Sequence, residues 1–139
     1  NFANKIENIF TSKRNIKKRT SNLYYSNEVK LIRGLHIDGP TEEYKIFMYM
    51  TSVKSKDDGA FKYVPGSHKK FLLMIINIFI NKFKAMPISI TDSTLCNENY
   101  AINILGEPGD VIITDQRGIH GGNSQGKLKK RLMLMNSYF

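Results

Sequence analysis

Residues 44–66 (YKIFMYMTSVKSKDDGAFKYVPG) contain two apolar runs, each of which is followed by turn-forming residues. The runs at residues 44–53 and 60–64 are rich in aromatic and β-branched side chains, which favour strands. The segment SKDDG separates the runs, and Pro65-Gly66 ends the second one. This stretch predicts two short consecutive strands, and strands of this kind decide the fold class.

Further short elements are predicted on both sides of this stretch. Strands are predicted at residues 30–37, 110–114 and 128–137, and turns at Gly39-Pro40, at residues 106–109 and in a glycine-rich bend at residues 118–126. A helix is predicted at residues 1–19, a helix or long connection at residues 71–86, and an irregular polar stretch at residues 87–100. The regular helical crossovers of a parallel sheet are missing. We therefore predict an all-β core with flanking helices, arranged as a barrel or jelly roll.

Chain length and cysteine content bound the class of protein. A length of 139 residues suffices for one domain, so residues 1–139 are treated as a single domain in which residues 1–35 form an N-terminal helix and a leading strand. Cys96 is the only cysteine, which favours a reducing compartment, and we expect a cytoplasmic protein. The longest apolar run, residues 71–80, is about half of the roughly 20 residues that a membrane span needs, so no span is expected.

The charge balance is strongly basic, with 21 Lys and Arg residues against 12 Asp and Glu residues and a net charge of +9. Such a balance favours anionic partners, such as nucleic acid, phosphorylated or CoA-linked compounds, or anionic membrane surfaces. The densest basic segment, residues 13–19, is interpreted as a solvated face that requires no partner. Charge alone does not select a function.

His36 and Asp38 lie two positions apart at the end of a predicted strand. Alternate residues of a strand point to the same face, so both side chains project together at the rim of the sheet. His120 follows a second predicted strand in a glycine-rich segment. Two imidazoles and one carboxylate are the facial triad of non-haem iron(II) oxygenases, which leaves coordination positions open. A strand end that faces water is the competing interpretation of the His36 and Asp38 pair.

Arg131 lies in a segment, residues 128–135, whose apolar side chains fill both faces of a strand. Such a strand is normally buried, and a buried guanidinium group is costly unless it is paired. Its five donors suit a carboxylate, and an anionic small molecule is the economical partner. The competing interpretation is an arginine at a strand end, either reaching into solvent or paired with Asp110 or Asp115.

Together, these residues resemble the phytanoyl-CoA dioxygenase family. The resemblance spans residues 36–139, about three quarters of the chain. It rests on residues 36–38 (HID), residues 58–68 (DGAFKYVPGSH), residues 106–111 (GEPGDV), and His120 with Arg131 eleven positions later. The order of these motifs, the PGSH block and the interval from His120 to Arg131 are jointly specific.

The resemblance implies a double-stranded β-helix, the cupin-like jelly roll, and a catalytic metal centre. His36, Asp38 and His120 would be the catalytic residues that bind Fe(II), and Arg131 would hold the distal carboxylate of the co-substrate 2-oxoglutarate. The implied reaction consumes O2, hydroxylates a small-molecule substrate and releases succinate and CO2. Related halogenases lack the carboxylate ligand, so the presence of Asp38 favours hydroxylation. Anionic or CoA-linked compounds are substrate candidates, and nucleic acid is disfavoured.

Some features depart from the family or compete with its site residues. Relatives often carry a hydroxyl residue two positions after the distal histidine, where this chain has Gly122. They usually have more residues before the His-x-Asp motif, which leaves open a barrel that is incomplete at its N-terminus. His68 belongs to the turn of the PGSH block and is expected to be structural. Tyr24, Asn22 and Tyr49 are candidate pocket residues, for which ordinary packing is the favoured interpretation.

Two other functions compete with a small-molecule oxygenase. A nucleic-acid demethylase of the same superfamily would carry a second arginine six residues after Arg131, but Ser137 stands there. A truncated or degenerate domain without activity would bind an anionic partner through the basic N-terminal segment. Binding of a metal and 2-oxoglutarate distinguishes an oxygenase from such a binding domain.

Overall fold

The computed structural model describes Lys5, Asn8 and residues 16–83, 91–92 and 96–139. These residues form nine strands, one α-helix and two 3-10 turns. The strands are β1 (Lys18–Asn27), β2 (His36–Ile37), β3 (Tyr44–Tyr49), β4 (Phe61–Tyr63), β5 (Thr91–Asp92), β6 (Ile102–Ile104), β7 (Val111–Asp115), β8 (His120–Gly122) and β9 (Lys130–Tyr138). The helix is α1 (Phe71–Phe83), and the 3-10 turns are Ser67–Lys69 and Glu98–Tyr100.

The strands form two antiparallel sheets, which confirms the predicted β-rich core. One sheet has the strand order β1-β9-β3-β7, and the other has the order β5-β2-β8-β4-β6. Both the β2–β8 and the β3–β9 pairs join strands that are far apart in the chain. The sheets therefore depend on long-range pairing, which brings residues of distant motifs together.

A hydrophobic cluster joins the two sheets. It contains side chains at alternate positions of β3 and β9 together with the first residue of β4: Phe47, Tyr49, Phe61, Met133 and Met135. Tyr49 is fully buried, and its hydroxyl group donates to Ile104 O at 2.9 Å and accepts from the Phe61 N–H at 3.2 Å. Tyr49 is therefore a core residue, which agrees with the ordinary packing that we favoured from the sequence.

A second cluster lies where α1 packs against the other sheet. The residues that form it come from β2, from the helix and from the connections beside β4 and β8: Leu35, Ile37, Val64, Met74 and Ile119. The helix buries Met74 and Asn77, whereas Leu72 and Phe79 are exposed. Within the described ranges, no helix is long and apolar enough to cross a membrane.

The N-terminal region differs from the prediction. Lys5 and Asn8 are helical, but Lys18 and Arg19 belong to β1, so the predicted C-terminal end of the first helix is wrong. Most other positions of that predicted helix lie outside the described residues. No strand was predicted at β1, because most of its side chains are exposed and it pairs with β9 alone in the described sheet.

The glycine-rich segment at residues 118–126 also differs, since it contains strand β8 where a bend was predicted. A Cβ atom on Gly118 would lie 1.8 Å from the Tyr63 hydroxyl oxygen, and one on Gly121 would lie 3.3 Å from Gly34 O. Gly121 therefore serves close packing within the sheet, whereas Gly118 combines close packing against Tyr63 with a turn, in which its N–H donates to Asp115 O at 3.1 Å. The strand predicted at residues 30–37 is observed only at its last two residues.

Candidate metal centre

Pairing between β2 and β8 brings the two histidines of the predicted site together. His36 and His120 are opposite each other in this antiparallel pair, and their ring centroids are 4.5 Å apart. Asp38 follows β2 directly, and its N–H donates to Gln116 O at 3.3 Å. His36, Asp38 and His120 each offer one ligand atom, and these atoms lie within 4.8 Å of one another.

The carboxylate of Asp38 faces the Nε2 atoms of both histidines. Oδ1 is 3.6 Å from His36 Nε2, and Oδ2 is 3.7 Å from His120 Nε2. Adjacent ligand atoms around an ion coordinated at about 2.1 Å are about 3 Å apart. Small side-chain rotations would close the difference, so the donor set fits a divalent first-row metal ion.

Backbone carbonyl groups fix the proton positions of both imidazoles. His36 Nδ1 lies 2.8 Å from Gly34 O, and His120 Nδ1 lies 2.8 Å from Gly118 O. A carbonyl oxygen only accepts, so each Nδ1 carries a proton, and in the neutral form of either ring the lone pair is on Nε2. Burial, together with the nearby His36 ring, lowers the pKa of His120 to about 4, so this ring is neutral at pH 7.

A lysine that the sequence analysis did not single out contacts the Asp38 carboxylate. Lys45 Nζ forms an ion pair with Asp38 Oδ2 and lies 3.6 Å from Glu43 Oε1. Burial alone would raise the pKa of Asp38, but the hydrogen bond from Lys45 and the neighbouring charges outweigh it and lower the pKa. For Glu43, burial dominates and raises the pKa. The sequence does contain a signal for Lys45, because this charged residue shares one face of an apolar strand with Phe47 and Tyr49.

The three predicted ligands line a cavity of about 310 Å³ that also contains Arg131. Its walls are mainly apolar and include Phe47, Phe61, Met133 and Met135. The candidate pocket residues lie in different places: Tyr24 lines the cavity, whereas Asn22 is exposed on β1 and Tyr49 is in the core. Gly122 lines the cavity as well, and a Cβ atom built on it meets no atom within 4 Å.

Arg131 is half-buried and incompletely paired. Its Nη1 group donates to Gly59 O, and its Nε is buried without a hydrogen-bond partner. Burial lowers the pKa of its guanidinium group. The partners considered from the sequence are engaged elsewhere: Asp115 pairs with Arg117, and Asp110 Oδ2 accepts from the Glu107 N–H at 2.8 Å. His68 lies on the Ser67–Lys69 turn and is not part of the ligand cluster, as expected.

No protein-family model matches the chain, and no curated protein matches it in sequence. Solved structures do resemble it. The non-haem monooxygenase ThoJ, in its apo form, has a TM-score of 0.66 and 15% identity, and the match covers 89% of this chain and 46% of ThoJ. HygX from Streptomyces hygroscopicus, with nickel and 2-oxoglutarate bound, has a TM-score of 0.62 and 17% identity over 88% of this chain and 55% of HygX.

The epimerase SnoN, in complex with Fe3+, α-ketoglutarate and nogalamycin RO, is similar too. Its TM-score is 0.64 and its identity is 12%, over 89% of this chain and 50% of SnoN. This chain therefore spans about half the length of the structures that it resembles. At such low identity the likeness shows a shared fold, and the chemistry has to be inferred from the residues of this chain.

Proposed function

We propose that this protein is an Fe(II)- and 2-oxoglutarate-dependent oxygenase that hydroxylates a small-molecule substrate and releases succinate and CO2. The observation that carries the proposal is the convergence of His36, Asp38 and His120 in a cavity that also contains Arg131. The proposal is supported by the similar folds of a non-haem monooxygenase and of proteins bound to nickel or iron together with 2-oxoglutarate.

His36, Asp38 and His120 would hold the iron. Two imidazoles and one carboxylate suit Fe(II) and leave coordination positions for further ligands. The carbonyl groups of Gly34 and Gly118 orient the two rings so that both lone pairs face Asp38. When iron, co-substrate and O2 are bound, they supply the oxidising chemistry, and the chain supplies orientation and a largely apolar cavity wall.

Arg131 would bind the distal carboxylate of 2-oxoglutarate. A buried polar group without a partner costs about 1–3 kcal/mol, and more for a charged group, so its Nε favours binding of an anionic ligand. The apolar walls formed by Phe47, Phe61 and Met133 reduce the local dielectric constant, which strengthens such an ion pair. Asp38, as the only carboxylate of the ligand cluster, favours hydroxylation over halogenation, as the family resemblance implies.

The strand order supports a double-stranded β-helix. Successive strands alternate between the two sheets from β1 to β4 and again from β6 to β9, as expected for a jelly roll. With the four sequence motifs, this order supports membership of the phytanoyl-CoA dioxygenase family. We extend the proposal to one domain over residues 1–139 of a cytoplasmic protein. The net charge of +9 makes anionic or CoA-linked compounds the first substrates to test.

Anaerobic titration with Fe(II) and then 2-oxoglutarate tests this proposal. We expect one Fe(II) per chain, 2-oxoglutarate binding that requires the metal, and succinate release when O2 is admitted. His120→Ala should lose metal binding, whereas His68→Ala, a histidine outside the cluster, should keep it. A wild-type protein that binds neither Fe(II) nor 2-oxoglutarate would contradict the proposal.

A non-catalytic domain that binds an anionic partner is the second candidate. The Lys45–Asp38 ion pair favours it, because an ammonium group on the only carboxylate of the cluster opposes a metal ion. The basic residues 13–19 would then provide the binding surface. Stoichiometric Fe(II) binding with succinate release would exclude this candidate.

A further inference from the structure

Lys45 is a charged residue on the inner face of an otherwise apolar strand. It lies on the same face of β3 as Phe47, two positions away, and both side chains line the cavity. Its ammonium group pairs with Asp38 and lies 3.6 Å from Glu43 Oε1. The side chain of Lys45 is only 18% exposed. A lysine in such surroundings requires a reason, because burial of an ammonium group is costly without a partner.

Asp38 requires Lys45 as long as no metal ion is bound. The Nε2 atoms of His36 and His120 lie 3.6 Å and 3.7 Å from the carboxylate oxygens, which is beyond hydrogen-bonding distance. Among the described residues, Lys45 is the only hydrogen-bond donor to the Asp38 side chain. Without this contact the half-buried carboxylate would have no hydrogen-bond donor among the described residues, which is an unfavourable arrangement.

A metal ion would reverse this balance. The Asp38 carboxylate would then coordinate a divalent cation, and that cation would repel an ammonium group a few ångströms away. Glu43 offers an alternative position for the ammonium group. Its carboxylate is 13% exposed, and Lys45 is the only basic group within ion-pair distance of it among the described residues. A second cavity of about 740 Å³, lined by Asp38, Glu43 and Lys45, leaves room for this movement.

We propose that Lys45 is an internal counter-ion of the metal centre, which holds Asp38 in the metal-free protein and moves to Glu43 when a divalent cation binds. Lys45 is thus a positioning residue: it keeps the carboxylate in place for the metal, and the metal must displace it. This inference rests on the proposed function, because it assumes that the ligand cluster binds a metal.

Metal titration of two variants and a control tests the inference. Mn(II) serves as an air-stable probe for wild-type protein, Lys45→Met, Glu43→Gln and the control Lys54→Met. Lys54 is an exposed lysine beside Glu107, so it matches the type of pair but lies on the protein surface. We expect Lys45→Met to bind Mn(II) at least tenfold more tightly than wild type, because the competing cation is gone. Glu43→Gln should bind several-fold more weakly, and Lys54→Met should match wild type.

Thermal unfolding provides a second readout that a merely structural lysine would not give. Metal-free Lys45→Met should unfold at a lower temperature than wild type, because Asp38 loses its donor, whereas saturating Mn(II) should stabilise the variant by more degrees than it stabilises wild type. If wild type binds Mn(II) and Lys45→Met binds it equally or more weakly, the inference is wrong and the proposed function stands. If neither protein binds Mn(II), the proposed function fails and the inference fails with it.

Discussion

Two aspartates beside lysines, one in the loop of residues 54–59 and one in the cavity, have opposite hydrogen-bonding environments. Asp58, in the loop, accepts hydrogen bonds from the Lys54 and Ser55 N–H groups at 2.9 Å and 2.8 Å. Its other carboxylate oxygen lies 2.7 Å from Lys129 Nζ. Both oxygens of Asp58 are therefore satisfied by the protein, which is the pattern of a structural carboxylate.

The polar groups of the cavity have fewer protein partners. In the part of the chain that the structure describes, Asp38 has one donor, Lys45, and the Nε of Arg131 has none. The Nε2 atoms of His36 and His120 lie 3.6 Å and 3.7 Å from the Asp38 oxygens, too far for a hydrogen bond. Buried polar groups are normally hydrogen-bonded, so the difference supports the proposal that ligands bind in the cavity, whereas Asp58 needs no partner beyond the protein.

The largest effect is expected when the cavity carboxylate is removed. Asp38→Ala should abolish 2-oxoglutarate turnover, because the iron loses its only anionic protein ligand. Asp58→Ala is the matched control, and its folded fraction should turn over normally. Succinate formation is measured at saturating Fe(II), so that metal loss is separated from chemistry. Wild-type turnover in Asp38→Ala would show that turnover does not require Asp38, just as it is expected not to require Asp58.

The next largest effect is expected from the arginine that lines the cavity. Arg131→Ala should weaken 2-oxoglutarate binding by at least about 2 kcal/mol, or roughly thirtyfold, because a charge-assisted pair in a desolvated site is lost. Fe(II) binding should survive. Calorimetric titration with 2-oxoglutarate at fixed Fe(II) measures both, and Arg117→Ala, whose guanidinium group already pairs with Asp115, is the control. Unchanged affinity in Arg131→Ala would mean that its buried Nε does not serve the co-substrate.

The sequence predicts the cavity better than its surroundings, and the reason is the range of the interactions. His36 and Asp38 lie in one short segment, so strand alternation alone places them together. His120 joined them through the chemistry of the facial triad and the family resemblance, because the β2–β8 pairing is not visible in local sequence. Lys45 was missed for the same reason: an apolar strand is interpreted as core, and its contact with Asp38 depends on how β3 packs beside β2.

The secondary structure shows the same division between local and long-range signals. The helix at residues 71–83 and the turn at Gly109, which has a φ of 97°, follow from local sequence. Strand β8 does not, because glycine is a turn signal unless it is known that Gly34 and Lys62 pack against Gly121. Strand β1 is largely polar and exposed, so its sequence lacks the apolar pattern of a strand. Its pairing with β9 is what makes it a strand.

In the loop, a smaller effect on stability is expected. Asp58→Asn should lower the free energy of unfolding by about 1–2 kcal/mol at pH 7, because charge-assisted hydrogen bonds are weakened. The hydrogen bond from Lys129, opposed by burial, lowers the pKa of Asp58 from 3.8 to about 2. Its stabilisation is thus fully present above pH 4 and is lost as the pH falls through 2. Urea unfolding of both proteins at pH 7, 4 and 2 should show the difference shrinking at the lowest pH, and a constant difference would contradict this cause.

The smallest effect is expected from a side chain added to the cavity. Gly122 is two positions after His120 on β8, so a side chain there would share the cavity face, and a Cβ atom on it meets no atom within 4 Å. Gly122→Ser would restore the hydroxyl group that related proteins often carry at this position. Since a typical hydrogen bond contributes about 0.5–1.5 kcal/mol, we expect 2-oxoglutarate affinity to rise by about threefold to tenfold. Gly122→Ala is the control, because it adds the Cβ atom without the donor. Equal affinities for the serine and alanine variants would show that a hydroxyl group at position 122 does not contribute to 2-oxoglutarate binding.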